Sequence, residues 1–313
     1  MTMKSTSRRV ALLGALAVAT TVSLAACSNS DSLAGNSAAP SSSGSAASKS
    51  LVVATTPYAE TQVLAQIYGQ VLAAKGYTIS YKQPGQRATL YPALKGGEVN
   101  LTPEYVGSLA NFLGNKDALT DVESAKTKLD ALLKADGLTA LDPAEAADSD
   151  ALVVTKAFSE KYGVTTYGDL AKAGTVTLAA NTEFSTRPDG LKALKSVYGL
   201  TNIKFKAIND GGGANTVKQL KNDGVQVADI YTTSQDFTDP DFVALKDDKG
   251  QFGPQNIVPV VTTSKVDGAL TDAVNAVSAK LTQQELIDLD TKAFADKADP
   301  AAIAKDWITA QGL

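Results

Sequence analysis

The residues best placed to do chemistry are Arg187, Tyr105, Tyr231 and Thr61, and what the chain lacks narrows what that chemistry is. No histidine occurs among 313 residues. This removes the usual general base, the Ser-His-Asp and Cys-His arrangements, and the commonest metal ligand. The single cysteine, Cys27, excludes an intramolecular disulfide and a site built from several thiolates. No paired-carboxylate motif stands out, and Glu98, Glu104 and Asp229 read equally well as solvated surface. The expectation is a binder that is not an enzyme and uses no cofactor or metal.

Arg187 lies in the stretch NTEFSTRPDG, 181–190. Before it runs Val176-Thr177-Leu178-Ala179-Ala180, apolar enough for a buried strand. After it, Leu191, Leu194, Val197 and Tyr198 recur at helical spacing. The stretch is therefore a strand-to-helix loop, with Pro188 and Asp189 suited to the first helical turn. A guanidinium there faces the carboxyl end of a strand, where α/β sheets gather their ligands.

Strands alternate with helices through the rest of the chain, which makes it α/β. Leu51–Ala54 and Thr78–Lys82 read as strands. Val63, Leu64, Ile67, Tyr68, Val71 and Leu72 mark the face of a helix between them, ended by Lys75-Gly76. A short helix around Pro92-Ala93-Leu94 leads into a strand at Val99-Asn100-Leu101. The order then recurs in a fixed register. LVVATTPYAETQVL from Leu51 lies over TLAANTEFSTRPDG from Thr177, with Tyr58 over Phe184. LKGGEVNLTPEYVGS from Leu94 lies over LKNDGVQVADIYTTS from Leu220, with Tyr105 over Tyr231. Both blocks share one offset of 126 residues, which argues for two similarly built lobes with a cleft between them. Each lobe offers a tyrosine just past a strand, Tyr105 and Tyr231, and a loop before its first helix, around Thr61 and Arg187. Gly211-Gly212-Gly213 matches neither a dinucleotide fingerprint nor a P-loop and reads as a turn before a helix at Thr216 to Asn222. From Gly268 the chain is helical, with Leu270, Val274, Val277 and Leu281 as one core stripe and Ile303, Trp307 and Ile308 as another.

The first 26 residues read as an address. Lys4, Arg8 and Arg9 precede an apolar run ending Leu24-Ala25-Ala26-Cys27, which resembles the lipobox of bacterial lipoproteins, with Cys27 as the lipidated residue. Residues 27–50 are Ser, Ala, Gly and Asn with few large apolar side chains, a composition that reads as a flexible tether. Without the first 26 residues, 26 Lys+Arg face 33 Asp+Glu, a formal charge of −7. Such a balance excludes a basic nucleic-acid surface. The expected place is the extracytoplasmic face of the cell membrane, held through the lipid alone.

Several motifs resemble the osmoprotectant solute-binding proteins, the glycine betaine, carnitine and choline binding components of ABC importers. They are Leu101-Thr102-Pro103-Glu104-Tyr105-Val106-Gly107-Ser108, Glu183-Phe184 with Arg187-Pro188-Asp189-Gly190, and Leu245-Lys246-Asp247-Asp248-Lys249 followed by Pro259-Val260. The resemblance implies a two-lobed periplasmic-binding-protein fold, type II-like, with an interlobe ligand cleft and two crossover segments as hinge, near 147–153 and 255–260. One lobe would be 51–149 with 257–313, the other 150–256. It also implies a monomer that delivers its solute to permease subunits. Tyr105 and Tyr231 match two positions of the family's tyrosine box around a quaternary ammonium, and Arg187 matches the arginine that holds the ligand carboxylate. Ser108 stands where the family usually has threonine, and Thr56 where it usually has lysine. Two box tyrosines are replaced, one by Asp150 (with Asp148 as the neighbouring alternative) and one by Gln255 or Asn256. The ligand implied is a betaine-like or other zwitterion, larger or more polar than glycine betaine, with Asp150 and Arg187 as its two poles. The alternative is a surface lipoprotein that keeps the fold for sensing or protein–protein interaction.

Overall fold

A computed structural model describes residues 49–250, 252–295 and 297–313. The expected signal peptide, Cys27 and nearly all of the tether lie outside the described residues. The described residues belong to one compact unit, built on two five-stranded mixed sheets.

The first sheet runs in the order β2-β1-β3-β10-β4, with β1 (Ser50–Ala54), β2 (Thr78–Lys82), β3 (Leu101–Tyr105), β4 (Leu138–Ala140) and β10 (Ile257–Thr262). The second runs β7-β6-β8-β5-β9, with β5 (Asp150–Thr155), β6 (Val176–Ala180), β7 (Ile203–Ala207), β8 (Val227–Tyr231) and β9 (Phe242–Ala244). The order is the same in both, and β1 and β3 stand 126 residues from β6 and β8. In each sheet three strands are parallel, and a strand from a distant part of the chain runs antiparallel beside the third. Covered on both faces, β1 carries the unbroken apolar run Leu-Val-Val-Ala that parallel strands require.

Helix α1 (Ala59–Ala74) lays Val63, Leu64, Ile67, Tyr68, Val71 and Leu72 against the first sheet and stops where Gly76 turns left-handed at φ 87°. Then come α2 (Arg87–Lys95), α3 (Val106–Phe112) and α4 (Val122–Lys134), the last capped by Asp121, which accepts from the Ser124 amide at 2.8 Å. Helices α5 (Lys156–Tyr162), α6 (Leu191–Ser196) and α7 (Ala214–Lys221) flank the second sheet. The C-terminal α8 (Gly268–Lys280), α9 (Gln283–Asp290) and α10 (Pro300–Gln311) return to the first sheet. There Leu270, Val274, Val277, Leu281, Ile303 and Trp307 share a core with Leu51 and Leu64, as the two apolar stripes predict.

The two passages between the sheets pair with each other. Ala147 and Asn256 form an isolated antiparallel bridge, the Asp148 amide donates to Gln255 O at 3.1 Å, and the Ile257 amide donates to Ala146 O at 2.9 Å.

Some local expectations are corrected. The strand expected at Val99 begins at Leu101, because Asn100 is spent on β1, where its side chain accepts from the Val52 amide at 3.0 Å. Tyr105 and Tyr231 are therefore the last residues of their strands rather than residues past them. Pro188 and Asp189 do not open a helix. A short 3-10 turn at Thr182–Ser185 intervenes, and α6 starts at Leu191 behind Gly190. A Cβ on Gly190 would collide with the Phe184 carbonyl oxygen. Glycine ends the RPDG motif because the backbone passes too close for a side chain.

Candidate functional site

The carboxyl ends of β1, β3, β6 and β8 converge on a cleft. Because β5 and β10 run antiparallel, their first residues lie beside those ends, with Asp150 opposite Tyr231 and Ile257 opposite Tyr105. Four strands and both passages thus deliver side chains to one cavity of about 90 Å³. Of the sequence candidates, Thr56, Thr61, Tyr105, Ser108, Asp150, Arg187, Tyr231 and Gln255 line it, as does the neighbouring alternative Asp148. Asn256 does not. Successive residues of extended chain point to opposite sides, and Asn256 turns back to donate to the carbonyls of Ala144 and Glu145, at 3.0 Å each. Gln255 faces inward and accepts from the Ser108 amide at 3.3 Å.

Arg187 is held rather than loose. Its guanidinium lies 5.0 Å from the Phe184 ring and 5.8 Å from the Phe252 ring. One amino group contacts Asp150, Nε lies 3.1 Å from Asp189, and Nη1 lies 3.7 Å from Glu183. Asp150 and Arg187 touch, so they are not two poles separated by a ligand in this structure. A second arginine, Arg87, makes a paired contact with buried Glu104, at 2.8 and 3.0 Å to one carboxylate oxygen.

Several site residues escaped sequence reasoning. Tyr58 lines the cavity and donates to Glu183 at 3.1 Å, bridging residues of the two sheets' surroundings. Phe294, on a π-helical turn at Thr291–Ala295, lines it from the C-terminal side. With Tyr105 and Tyr231 they give the cleft four aromatic side chains. The 126-residue register pairs Tyr58 with Phe184, and that was the available signal for Tyr58. For Phe294 no periodicity carries one, since only the return of the C-terminal helices brings it there. Glu60, Glu183 and Arg87 also line the cavity. Glu104 and Asp229 are buried, at 5% and 2% exposure, which corrects the reading of them as solvated. Glu98 is exposed.

Electrostatically the cleft is acidic. Five carboxylates (Glu60, Glu104, Asp148, Asp150, Glu183) line it against two guanidiniums, and both guanidiniums already face carboxylates. Burial, and then the charge of Asp290, push Glu60 well above the usual carboxylate range. Burial, and then Glu60, do the same to Asp148. Burial, and then Asp148, raise Asp290 to about 7. Burial also raises Glu183, outweighing the pull of Arg187. Tyr105 and Tyr231 stay phenols, raised first by burial and then by Glu60 and Asp150 respectively. Their hydroxyls are engaged, Tyr105 donating to Glu60 and Tyr231 accepting from Asn181 at 2.9 Å. Aromatic faces and carboxylates together suit a cation.

Two like-built sheets with a cleft at their strand ends define a two-lobed solute-binding protein. The model of the family described as the substrate binding domain of ABC-type glycine betaine transport systems matches residues 49–310, and the chain belongs to that family. Its relatives include the glycine betaine-binding protein YehZ of Escherichia coli, 28% identical over 270 residues, 81% of this chain and 88% of that one. A Helicobacter pylori protein described as ergothioneine transport permease/ergothioneine binding protein EgtU is 26% identical over 276 residues, 85% of this chain. The chain spans 48% of the length of that relative. Among solved structures, the fold is similar to that of a glycine betaine/carnitine/choline ABC transporter protein (TM-score 0.65, 22% identity, 84% of this chain and 98% of that one). It is also similar to apo YehZ from E. coli (TM-score 0.59, 26% identity, with the same coverage). The role is that of a substrate-binding protein of an ABC transport system. No helix among the described residues is long and apolar enough to cross a membrane.

Proposed function

We propose that this chain is a lipid-anchored, extracytoplasmic receptor that captures a small cationic or zwitterionic solute and hands it to a permease without altering it chemically. Cys27 would carry the lipid, residues 28–50 the tether, and the protein would work as a monomer. Residues 51–149 with 257–313 form one lobe and 150–256 the other, and the paired passages near 147–153 and 255–260 act as the hinge. The observation that carries the ligand class is the cleft lining, with four aromatic side chains and five carboxylates around 90 Å³. A methylated ammonium presents a diffuse positive surface to aromatic rings, each contact worth roughly 0.5–2 kcal/mol, and an acidic surround disfavours a net anion. Arg187 receives the ligand's carboxylate, and Asp150 yields its place on the guanidinium when that carboxylate arrives.

A thermal-shift panel of glycine betaine, carnitine, choline and cationic amino acids, followed by calorimetry, tests this. A ligand at about 100 times its dissociation constant adds about 2.7 kcal/mol of stability. At least one cation or zwitterion should shift the melting temperature, and Arg187→Ala should weaken carboxylate-bearing ligands more than choline. Silence across the whole panel would refute the reading.

A further inference from the structure

The cleft continues past the aromatic walls. A second chamber of about 330 Å³ shares Tyr231 and Phe294 with the first. Gly211, Ala214, Thr233 and Gln235 line it from the second sheet's side, and Thr291 and Lys297 from the C-terminal segment. Asp290, the last residue of α9, also lines it and is only 3% exposed. Neither of its carboxylate oxygens has a well-aligned hydrogen bond, although the side chains of Thr233 and Glu60 lie close by. Glu60, 4% exposed, spends one oxygen on the Tyr105 hydroxyl, and its other oxygen, without a well-aligned hydrogen bond, faces Asp290. Asp148 completes the group, accepting from the Thr233 amide and hydroxyl at 3.2 and 3.0 Å. Three carboxylates therefore meet where the chambers join, drawn from α1, the first passage and α9, and three of their oxygens have no well-aligned donor, with Glu60 and Asp290 left to face each other. A buried acceptor without a donor is costly, and more so when charged. Glu104, by contrast, is matched by Arg87.

A fully methylated ammonium cannot supply the missing donors. A primary ammonium carries three N–H groups and a guanidinium up to five in a planar fork. The second chamber leaves space for a ligand longer than the inner 90 Å³ alone would hold. We infer that Glu60, Asp148 and Asp290 form a cation subsite at the chamber junction, selecting a solute whose positive group donates hydrogen bonds, a primary ammonium or a guanidinium, over one that is fully methylated. The inference rests on the cleft binding a small cationic or zwitterionic solute.

Three compounds on one skeleton separate the cases: 4-aminobutanoate, 4-guanidinobutanoate and 4-(trimethylammonio)butanoate. They are titrated calorimetrically into the wild-type protein, Asp290→Asn and Glu60→Gln, with glycine betaine and choline as controls. The amino or guanidino compound should bind the wild type at least about tenfold more tightly than the trimethylated one. That preference should fall below about threefold in Asp290→Asn, and Glu60→Gln, which keeps its shape, should move the same way. Equal or tighter binding of the trimethylated compound, a preference unchanged in both variants, or binding of the controls alone would overturn the subsite while leaving solute capture standing. No binding by any of the five compounds would overturn both.

Discussion

Replacing Asp290 with asparagine should change how stability depends on pH, and the structure fixes the sign. Burial and the neighbouring Asp148 raise this carboxyl from its ordinary 3.8 to about 7. Between those values the folded chain holds a proton that the unfolded chain has released. Stability attributable to Asp290 is therefore fully present below about pH 4, falls as pH rises, and is gone above about pH 7. At ~1.4 kcal/mol per pH unit, the window corresponds to about 4 kcal/mol. This is a ceiling, because Glu60 and Asp148 face Asp290 and share the same titration. Asparagine has nothing to titrate. The variant should therefore match the wild type within about 1 kcal/mol near pH 4.5 and exceed it by up to about 4 kcal/mol at pH 7.5. Urea unfolding at four pH values between 4.5 and 7.5 provides the measurement. The chain is well suited to it, since with no histidine no side chain of ordinary pKa titrates near pH 6.5. If the two proteins keep a constant difference in stability across that range, the carboxylate cluster is not coupled as described.

Two further predictions concern single contacts. Gly190→Ala sets a methyl against the Phe184 carbonyl and should destabilise the fold by about 1–3 kcal/mol in urea. A loss below about 0.5 kcal/mol would mean the 182–190 turn shifts freely. Phe294→Ala removes one aromatic wall, so the affinity for choline should fall about 2- to 30-fold, the equivalent of 0.5–2 kcal/mol. Unchanged calorimetric affinity would remove Phe294 from the site.

Much of the architecture was legible because it repeats. The 126-residue offset between Tyr105 and Tyr231 survives as the terminal residues of β3 and β8, the apolar run marks a strand correctly at Val176–Ala180, and the strand expected at Thr78–Lys82 is present. Helix starts were less visible. Pro188 and Asp189 satisfy every local preference for a first turn, yet the close pass of Gly190 over Phe184 sets the boundary instead. Within the site, the internal repeat brought out Tyr105 and the strand-to-helix loop brought out Arg187, whereas Asp150 came only from the resemblance to the family's tyrosine box. Glu60 and Asp290 did not, because an acidic residue at either end of a helix usually reads as solvated. Their burial depends on two helices from opposite ends of the chain meeting over one cleft, and no local window contains both.

The bridge between Ala147 and Asn256 has a mechanical corollary. A single connector lets two bodies slide, twist and bend, whereas a pair of strands hydrogen-bonded to each other resists sliding and leaves bending as the soft direction. The spine of that book is written with the site's own letters: Asp148, Asp150 and Gln255 lie on the connectors themselves or at their ends. In the hinge proposed above, a solute seated against them presses directly on the axis of bending. On that proposal, tightness of grip and angle of closure become one property of the same few residues, and a substitution there that alters one should alter the other.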